Sequence, residues 1–224
     1  ATTSNAVTLS AMIPATWARG VLFMNRTAVA SEVALEDRAP SWRICAAGDF
    51  NADGKADVIW QNIATGQHEV WLMNGAMHTS TVDLGTTDPT WQIAGTGDFN
   101  GDGRPDILWQ NTTTGQHSIW LMSGTTNIGN IELPTTDPVW RMTGTGDFNG
   151  DGQIDILWQN IITGQHSIWL MSGTTNIGNT ELGTTDPTWR IVGTGDFNGD
   201  GQTDILWQNT ISGQMSLWLM NGTT

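Results

Sequence analysis

The sequence contains no tyrosine, a single cysteine and only eight lysines and arginines among 224 residues. Each shortage excludes something. One cysteine, Cys45, allows no internal disulfide, and its place in an apolar, strand-like run suits a buried, inert thiol. Eight basic residues against 22 acidic ones give a formal net charge of −14, so the chain lacks the basic face that nucleic acid or an anionic membrane requires. No stretch approaches the roughly 18 apolar residues of a membrane helix, which argues against insertion. The acid is not spread as a solvating coat either. Twelve of the 22 carboxylates, three in each of four copies, fall in one repeated motif. The opening ATTSNA, without an initiator Met, is an end that removal of a secretory signal leaves, and that trimming leaves as well. A secreted or cell-surface location is expected.

What the chain does have is repetition. The string GDFN begins at Gly48, Gly97, Gly146 and Gly195, 49 residues apart each time. Units 99–147 and 148–196 differ at nine of 49 positions, and unit 50–98 is a full unit as well. Residues 1–49 read as a degenerate unit without the acidic motif, in which Met24 and Trp42 keep register with Met73 and Trp91. Residues 197–224 read as a truncated one. Four segments of a unit read as strands: WRMTGTGD (140–147), DILWQN (155–160), HSIWLMSG (166–173) and NTEL (179–182). ILW and IWLM are apolar on both faces, as expected for a small sheet held between two neighbours. The Gly- and Thr-rich first strand suits a crowded axis. Four strands in 40–50 residues predict an all-β propeller blade, and a β-solenoid is the rival. The whole chain, 1–224, is then one repeat domain, with five blades expected. Closure is open to three routes: an N-terminal strand such as residues 5–10 completing the last blade, two chains pooling incomplete rings, or ends that link chains head to tail.

The repeated acidic motif is D-F-N-x-D-G-x-x-D. It comprises Asp49, Asn51, Asp53 and Asp57; Asp98, Asn100, Asp102 and Asp106; Asp147, Asn149, Asp151 and Asp155; and Asp196, Asn198, Asp200 and Asp204. Side-chain oxygens at positions 1, 3, 5 and 9 converge if the loop wraps tightly, and Gly at position 6 permits the turn. The carbonyl at position 7 (Lys55, Arg104, Gln153, Gln202) supplies one more oxygen. Six or seven hard oxygen donors select Ca²⁺ over Mg²⁺, Zn²⁺ or copper, so about four structural calcium sites are expected. An EF-hand is excluded, because its twelfth position needs a bidentate Glu and here holds Trp60, Trp109, Trp158 or Trp207. Ala52 stands where the other copies have Gly, at a position expected to tolerate the change.

GDFNGDGxxDILW resembles the FG-GAP/VCBS repeat of integrin α-subunit propellers, bacterial surface proteins and fungal lectins of the Psathyrella velutina type. The resemblance covers residues 42–224, and 1–41 by register alone. It implies a calcium-laced propeller with the metal in the hairpin between the first and second strands. It does not fix the ligand, since the family serves adhesion, sugar binding and scaffolding.

Strand alternation places the acidic hairpins and the MSGTTNIG turns (171–178) on one rim. The QNxxTGQH hairpins and TTDPxW connections take the other. That second rim collects Trp91, Trp140 and Trp189, Arg141 and Arg190, Gln110 and Asn111, Gln159 and Asn160, and His117 and His166. Indole faces beside planar amide and guanidinium donors suit sugar recognition, with an apolar ring face stacked and hydroxyls hydrogen-bonded. Trp109, Trp120, Trp158 and Trp169, mid-strand, are expected in the core. Met215 replaces His in the last unit, which removes a repeated metal or acid–base role. No Ser, Cys or His constellation has a catalytic pattern, so the chain reads as a non-enzymatic, multivalent carbohydrate-binding lectin. An extracellular adhesion or assembly protein, its partners proteins rather than glycans, is the alternative.

Overall fold

Short apolar segments separated by Gly, Asn and Asp leave no run long enough for a helix. The computed structural model describes residues 20–25 and 28–223, and among them the regular elements are all strands. No helix there is long and apolar enough to cross a membrane. The candidate strand at residues 5–10 lies outside the described residues.

A two-stranded sheet comes first, β1 (Gly20–Asn25) with β2 (Ala28–Ala34). Three four-stranded antiparallel sheets follow. The first is β3 (Trp42–Gly48), β4 (Asp57–Asn62), β5 (Gln67–Asn74) and β6 (Met77–Thr86). The second is β7 (Trp91–Gly97), β8 (Asp106–Asn111), β9 (His117–Ser123) and β10 (Thr126–Leu133). The third is β11 (Trp140–Gly146), β12 (Asp155–Asn160), β13 (Gln165–Ser172) and β14 (Thr175–Thr184). The last sheet has three strands, β15 (Trp189–Gly195), β16 (Asp204–Asn209) and β17 (Met215–Trp218). Each is a meander in chain order. Successive sheets meet along their first strands, β3 to β7 to β11 to β15, which is the arrangement of propeller blades around an axis.

The fourth strand is longer than the NTEL segment suggests. β14 runs from Thr175 and pairs up to Ser172↔Thr175, so most of the expected 171–178 turn is strand. The turn shrinks to Gly173 and Thr174, with Gly173 at φ 60, the positive first position that a tight II′-type hairpin asks for. At the axis the first strands are stitched sideways. The hydroxyls of Thr96, Thr145 and Thr194 donate to the carbonyls of Ala47, Thr96 and Thr145 at 2.8–3.0 Å. Crowding explains the glycines there: a Cβ on Gly144 would stand 2.6 Å from Thr194 Cγ2.

Between blades, each core cluster draws on two sheets. Phe99, Leu108 and Ile119 of the second blade pack on Met142, Ile156 and Trp158 of the third, and Phe148, Leu157 and Ile168 pack on Ile191, Ile205 and Trp207. The mid-strand tryptophans are core, as expected: Trp109 and Trp158 are buried, and each leans on a half-buried partner, Trp120 or Trp169, 4.7–4.9 Å away. At the amino-terminal end Leu35 packs on Trp60, Trp71 and Met73, and the Arg38 guanidinium lies 3.9 Å over Trp42. Arg38 also bonds Glu69 at 2.5 Å. Cys45 is half-buried, and desolvation pushes its thiol up to about 12, which fits an inert role.

The polar residues buried in these interfaces correct part of the sequence reading. Gln110 and Gln159 are 3% and 0% exposed. Each amide clamps the first strand of the next blade. Gln110 Nε2 donates to the Trp140 carbonyl at 2.6 Å while Oε1 accepts from Met142 N at 3.2 Å. Gln159 does the same to Trp189 (2.7 Å) and Ile191 (3.4 Å), and Gln61 to Trp91 (2.8 Å) and Ile93 (3.0 Å). His117 and His166, both buried, stand edge-on against Trp158 and Trp207 of the next blade at 4.8 and 4.6 Å. Burial holds both imidazoles below their ordinary pKa, His166 at about 4, so they are neutral packing groups near neutral pH. Asn111 and Asn160 are buried too, their Oδ1 atoms accepting from the amides of Thr113 and Thr114, and of Ile162 and Thr163. Gln110, Gln159, Asn111, Asn160 and His166 are joints and turn-formers rather than a surface for ligand, and His117 is a joint that also borders a rim cavity.

Candidate metal loops and rim groove

The acidic hairpins join the first and second strands of each blade. In the first loop, Asp49 accepts from the amides of Asp53 (3.0 Å) and Gly54 (2.7 Å). Asn51 Oδ1 accepts from Asp53 N, and Asp53 Oδ1 from Lys55 N. The same wrapping recurs at Asp98, Asn100, Asp102 and Arg104, at Asp147, Asn149, Asp151 and Gln153, and at Asp196, Asn198, Asp200 and Gln202. Sequence spacing and loop geometry therefore agree that the chain folds back on itself here. The side-chain oxygens point at their own loop's amides, and among the described residues no three acidic side chains form a metal-holding group.

The ninth-position Asp behaves differently. Asp57, Asp106, Asp155 and Asp204 are 0% exposed. One oxygen of each accepts from the Phe amide that follows the first Asp, and the other from a Met amide sixteen residues on, at 2.8–3.0 Å. This carboxylate pins the loop to the end of the third strand. Burial raises the carboxyls of Asp57, Asp106 and Asp155 above the usual range. The backbone bonds pull them down, and the carboxylates of Asp49, of Asp98 and Asp102, and of Asp147 and Asp151 push them up again. Carboxylate and amide oxygens are the hard donors a divalent cation takes, and here they accept from the amides of their own loop.

Position 4 corrects a second expectation. Gly101, Gly150 and Gly199 take φ of 75–81°, and Ala52 is held at φ 60. That left-handed conformation is one a Cβ disfavours, so the position does not tolerate Ala freely.

On the opposite rim a cavity of about 300 Å³ opens in the second blade. Trp91, Trp120, Asp88, Gln116, Asn130 and Glu132 contribute to its lining. Of the expected ligand-binding set, Trp91 lines it, and so does His117 as part of the wall. Trp140 and Trp189, like Trp91, are half-buried at the start of a first strand. Arg141 and Arg190 are turned to the backbone: each donates to a proline carbonyl, Pro138 or Pro187, and also to Thr112 O or Ile161 O at 3.4 Å. Asp88, Gln116, Asn130 and Glu132 went unnoticed in the sequence. Their signal is that Asp88 belongs to the TTDP connection and Gln116 to the TGQH turn, both repeated on this rim.

Antiparallel four-stranded blades around an axis, with an acidic hairpin between first and second strands, define a repeat β-propeller. The family model for the FG-GAP-like repeat matches residues 49–109, 98–158 and 147–207, and the chain belongs to that family. No curated protein matches the chain.

The strain at Ala52 predicts that Ala52→Gly stabilises the protein by about 0.5–1 kcal/mol, the left-handed penalty less the extra entropy of an unfolded glycine. Denaturant unfolding of the two chains measures it, and a loss of stability would show that Ala52 is not strained.

Proposed function

We propose that the chain is an extracellular, calcium-stapled propeller that binds carbohydrate in its rim grooves and performs no chemistry. The groove of the second blade carries this reading. Indole surface from Trp91 and Trp120 stands beside the carboxylates of Asp88 and Glu132 and the amides of Gln116 and Asn130. An apolar plate for a pyranose face, edged by acceptors and donors for its hydroxyls, is the chemistry that sugar recognition uses. Asp137, Trp140, Gln165, Asn179 and Glu181 repeat the same types in the third blade. Several equal, weak grooves on one rim give avidity with a polyvalent glycan.

Calcium enters as a structural ion. Asp49, Asn51, Asp53 and Asp57 would hold it in the first loop, with their counterparts in the other three. When bound, the ion supplies the positive charge that three carboxylates per loop call for. A protein that takes both calcium and glycans from its surroundings suits the outside of a cell.

A glycan array probed with the calcium-loaded chain tests the sugar reading. A defined set of glycans should bind, and Trp91→Ala and Glu132→Ala should each weaken binding about tenfold or more. Glu132 is exposed, so its replacement should leave the melting midpoint unchanged. Silence across the array from folded protein would reject the reading.

Thermal unfolding tests the calcium. Saturation of one site at a hundred times its dissociation constant adds about 2.7 kcal/mol. In a domain of this size that is a rise of roughly 5–10 °C. Equal midpoints in excess calcium and in chelator would contradict the role.

A further inference from the structure

The groove of the second blade has a counterpart in the first, and there the chain fills it with a cation of its own. Trp91, Trp109, Ser118 and Trp120 line the groove. In the same places, 49 residues earlier, stand Trp42, Trp60, Glu69 and Trp71, and Thr87 of the lining corresponds to Arg38. The Arg38 guanidinium lies 3.9 Å from the centre of the Trp42 ring, 5.1 Å from Trp71 and 5.3 Å from Trp60. It also bonds the Glu69 carboxylate at 2.5 Å. Three indoles and an acid thus hold a cation supplied by the chain itself. The second and third blades carry Thr87 and Thr136 at that position, side chains too short to do the same.

The charge around the unfilled grooves is negative. Asp88 and Glu132 stand exposed at the second blade, as Asp137 and Glu181 do at the third. No lysine or arginine is among the described residues that line the second-blade cavity. Bonds from the Thr90 amide and hydroxyl hold the Asp88 carboxyl below its usual range, so it is charged at neutral pH. The amides beside these acids are set as donors. Gln116 Oε1 accepts from the Thr114 hydroxyl at 2.9 Å and Asn130 Oδ1 from the Ser118 hydroxyl, which leaves both amide nitrogens to donate. Thr163 with Gln165 and Ser167 with Asn179 repeat the arrangement in the third blade. A ligand suited to such a groove brings positive charge for the carboxylates and acceptors for the amides. An arginine side chain has no acceptor, whereas a sugar bearing an amine has both. We propose that the rim grooves of the second and third blades take hexosamine units with a free amine, as in a de-N-acetylated glycan. The ammonium sits with Asp88 and Glu132, or with Asp137 and Glu181, and the ring hydroxyls accept from the amides. This rests on the carbohydrate reading above and narrows it to cationic sugars. Uronic acids and sulfated sugars would meet two like charges and are excluded.

Isothermal titration of the full chain with trimers of glucosamine, N-acetylglucosamine and galacturonic acid tests the inference. The glucosamine trimer should bind at least about tenfold more tightly than the acetylated one, the worth of one charge-assisted hydrogen bond, and the galacturonate trimer should not bind. Glu132→Gln together with Glu181→Gln, both at exposed positions, should remove most of that preference without moving the melting midpoint. Arg38→Ala should open the first-blade seat and raise the number of glucosamine trimers bound per chain. An unchanged number in the folded variant would overturn the equivalence of the grooves; if the variant does not fold, the double variant decides alone. A preference that survives the double variant would overturn the proposal. Equal or tighter binding of the acetylated or galacturonate trimer would overturn the need for an amine and leave the carbohydrate reading standing. Silence from all three would overturn it too, and the glycan array then judges the carbohydrate reading separately. Tighter binding of a tri-arginine peptide than of the glucosamine trimer would assign the grooves to a protein partner and overturn the proposal.

Discussion

No blade of this protein can bury both of its faces alone, and the contact that resolves this is the glutamine clamp between neighbours. A four-stranded sheet with ILW and IWLM on its middle strands has apolar side chains on both sides, so it needs a sheet before it and a sheet after it. Apolar packing supplies the driving force without direction. The amides of Gln61, Gln110 and Gln159 supply direction, since each reads one carbonyl and one amide two residues apart on the next first strand. Two buried bonds of this kind contribute about 1–3 kcal/mol per interface, and a misregistered strand leaves them unmade at a larger cost. The histidine beside each clamp and the threonine steps at the axis complete the joint.

Once the strands are fixed in this way, both rims follow. The acidic hairpins lie where first and second strands turn, anchored by a buried Asp to the end of the third strand. The other two carboxylates of each loop stay at least partly open to solvent, and only the anchoring Asp is buried. The opposite rim is made of connections between blades. The groove at Trp91 and Glu132 forms between the second blade and the connections that flank it.

The architecture was legible because it is written in repetition. Four GDFN strings at one spacing give the blade, and the alternation of strand and turn gives its strands. The acidic loops were legible for a similar reason, since a loop motif is local in sequence. What failed was the placing of polar residues whose burial the neighbouring blade decides. Gln110, Gln159, His117 and His166 look like rim residues because they sit near strand ends. Their burial depends on strands of the next blade, 30 residues on for the glutamines and 41 for the histidines. Ala52 was misjudged because a backbone angle, not a side-chain contact, sets its cost. The groove carboxylate Glu132 was passed over as strand filler, since nothing local marks the side of a sheet on which a cavity opens.

Amide hydrogen exchange on the native chain tests the clamp most directly. The account predicts that the amides of Ile93, Met142 and Ile191, each bonded to a buried glutamine from the blade before, exchange only through global unfolding. Their opening free energies should then match one another and the stability measured by denaturant. Faster exchange at these three positions than at mid-strand amides such as Leu108 and Leu157 would show that the blades open independently, and would contradict the account.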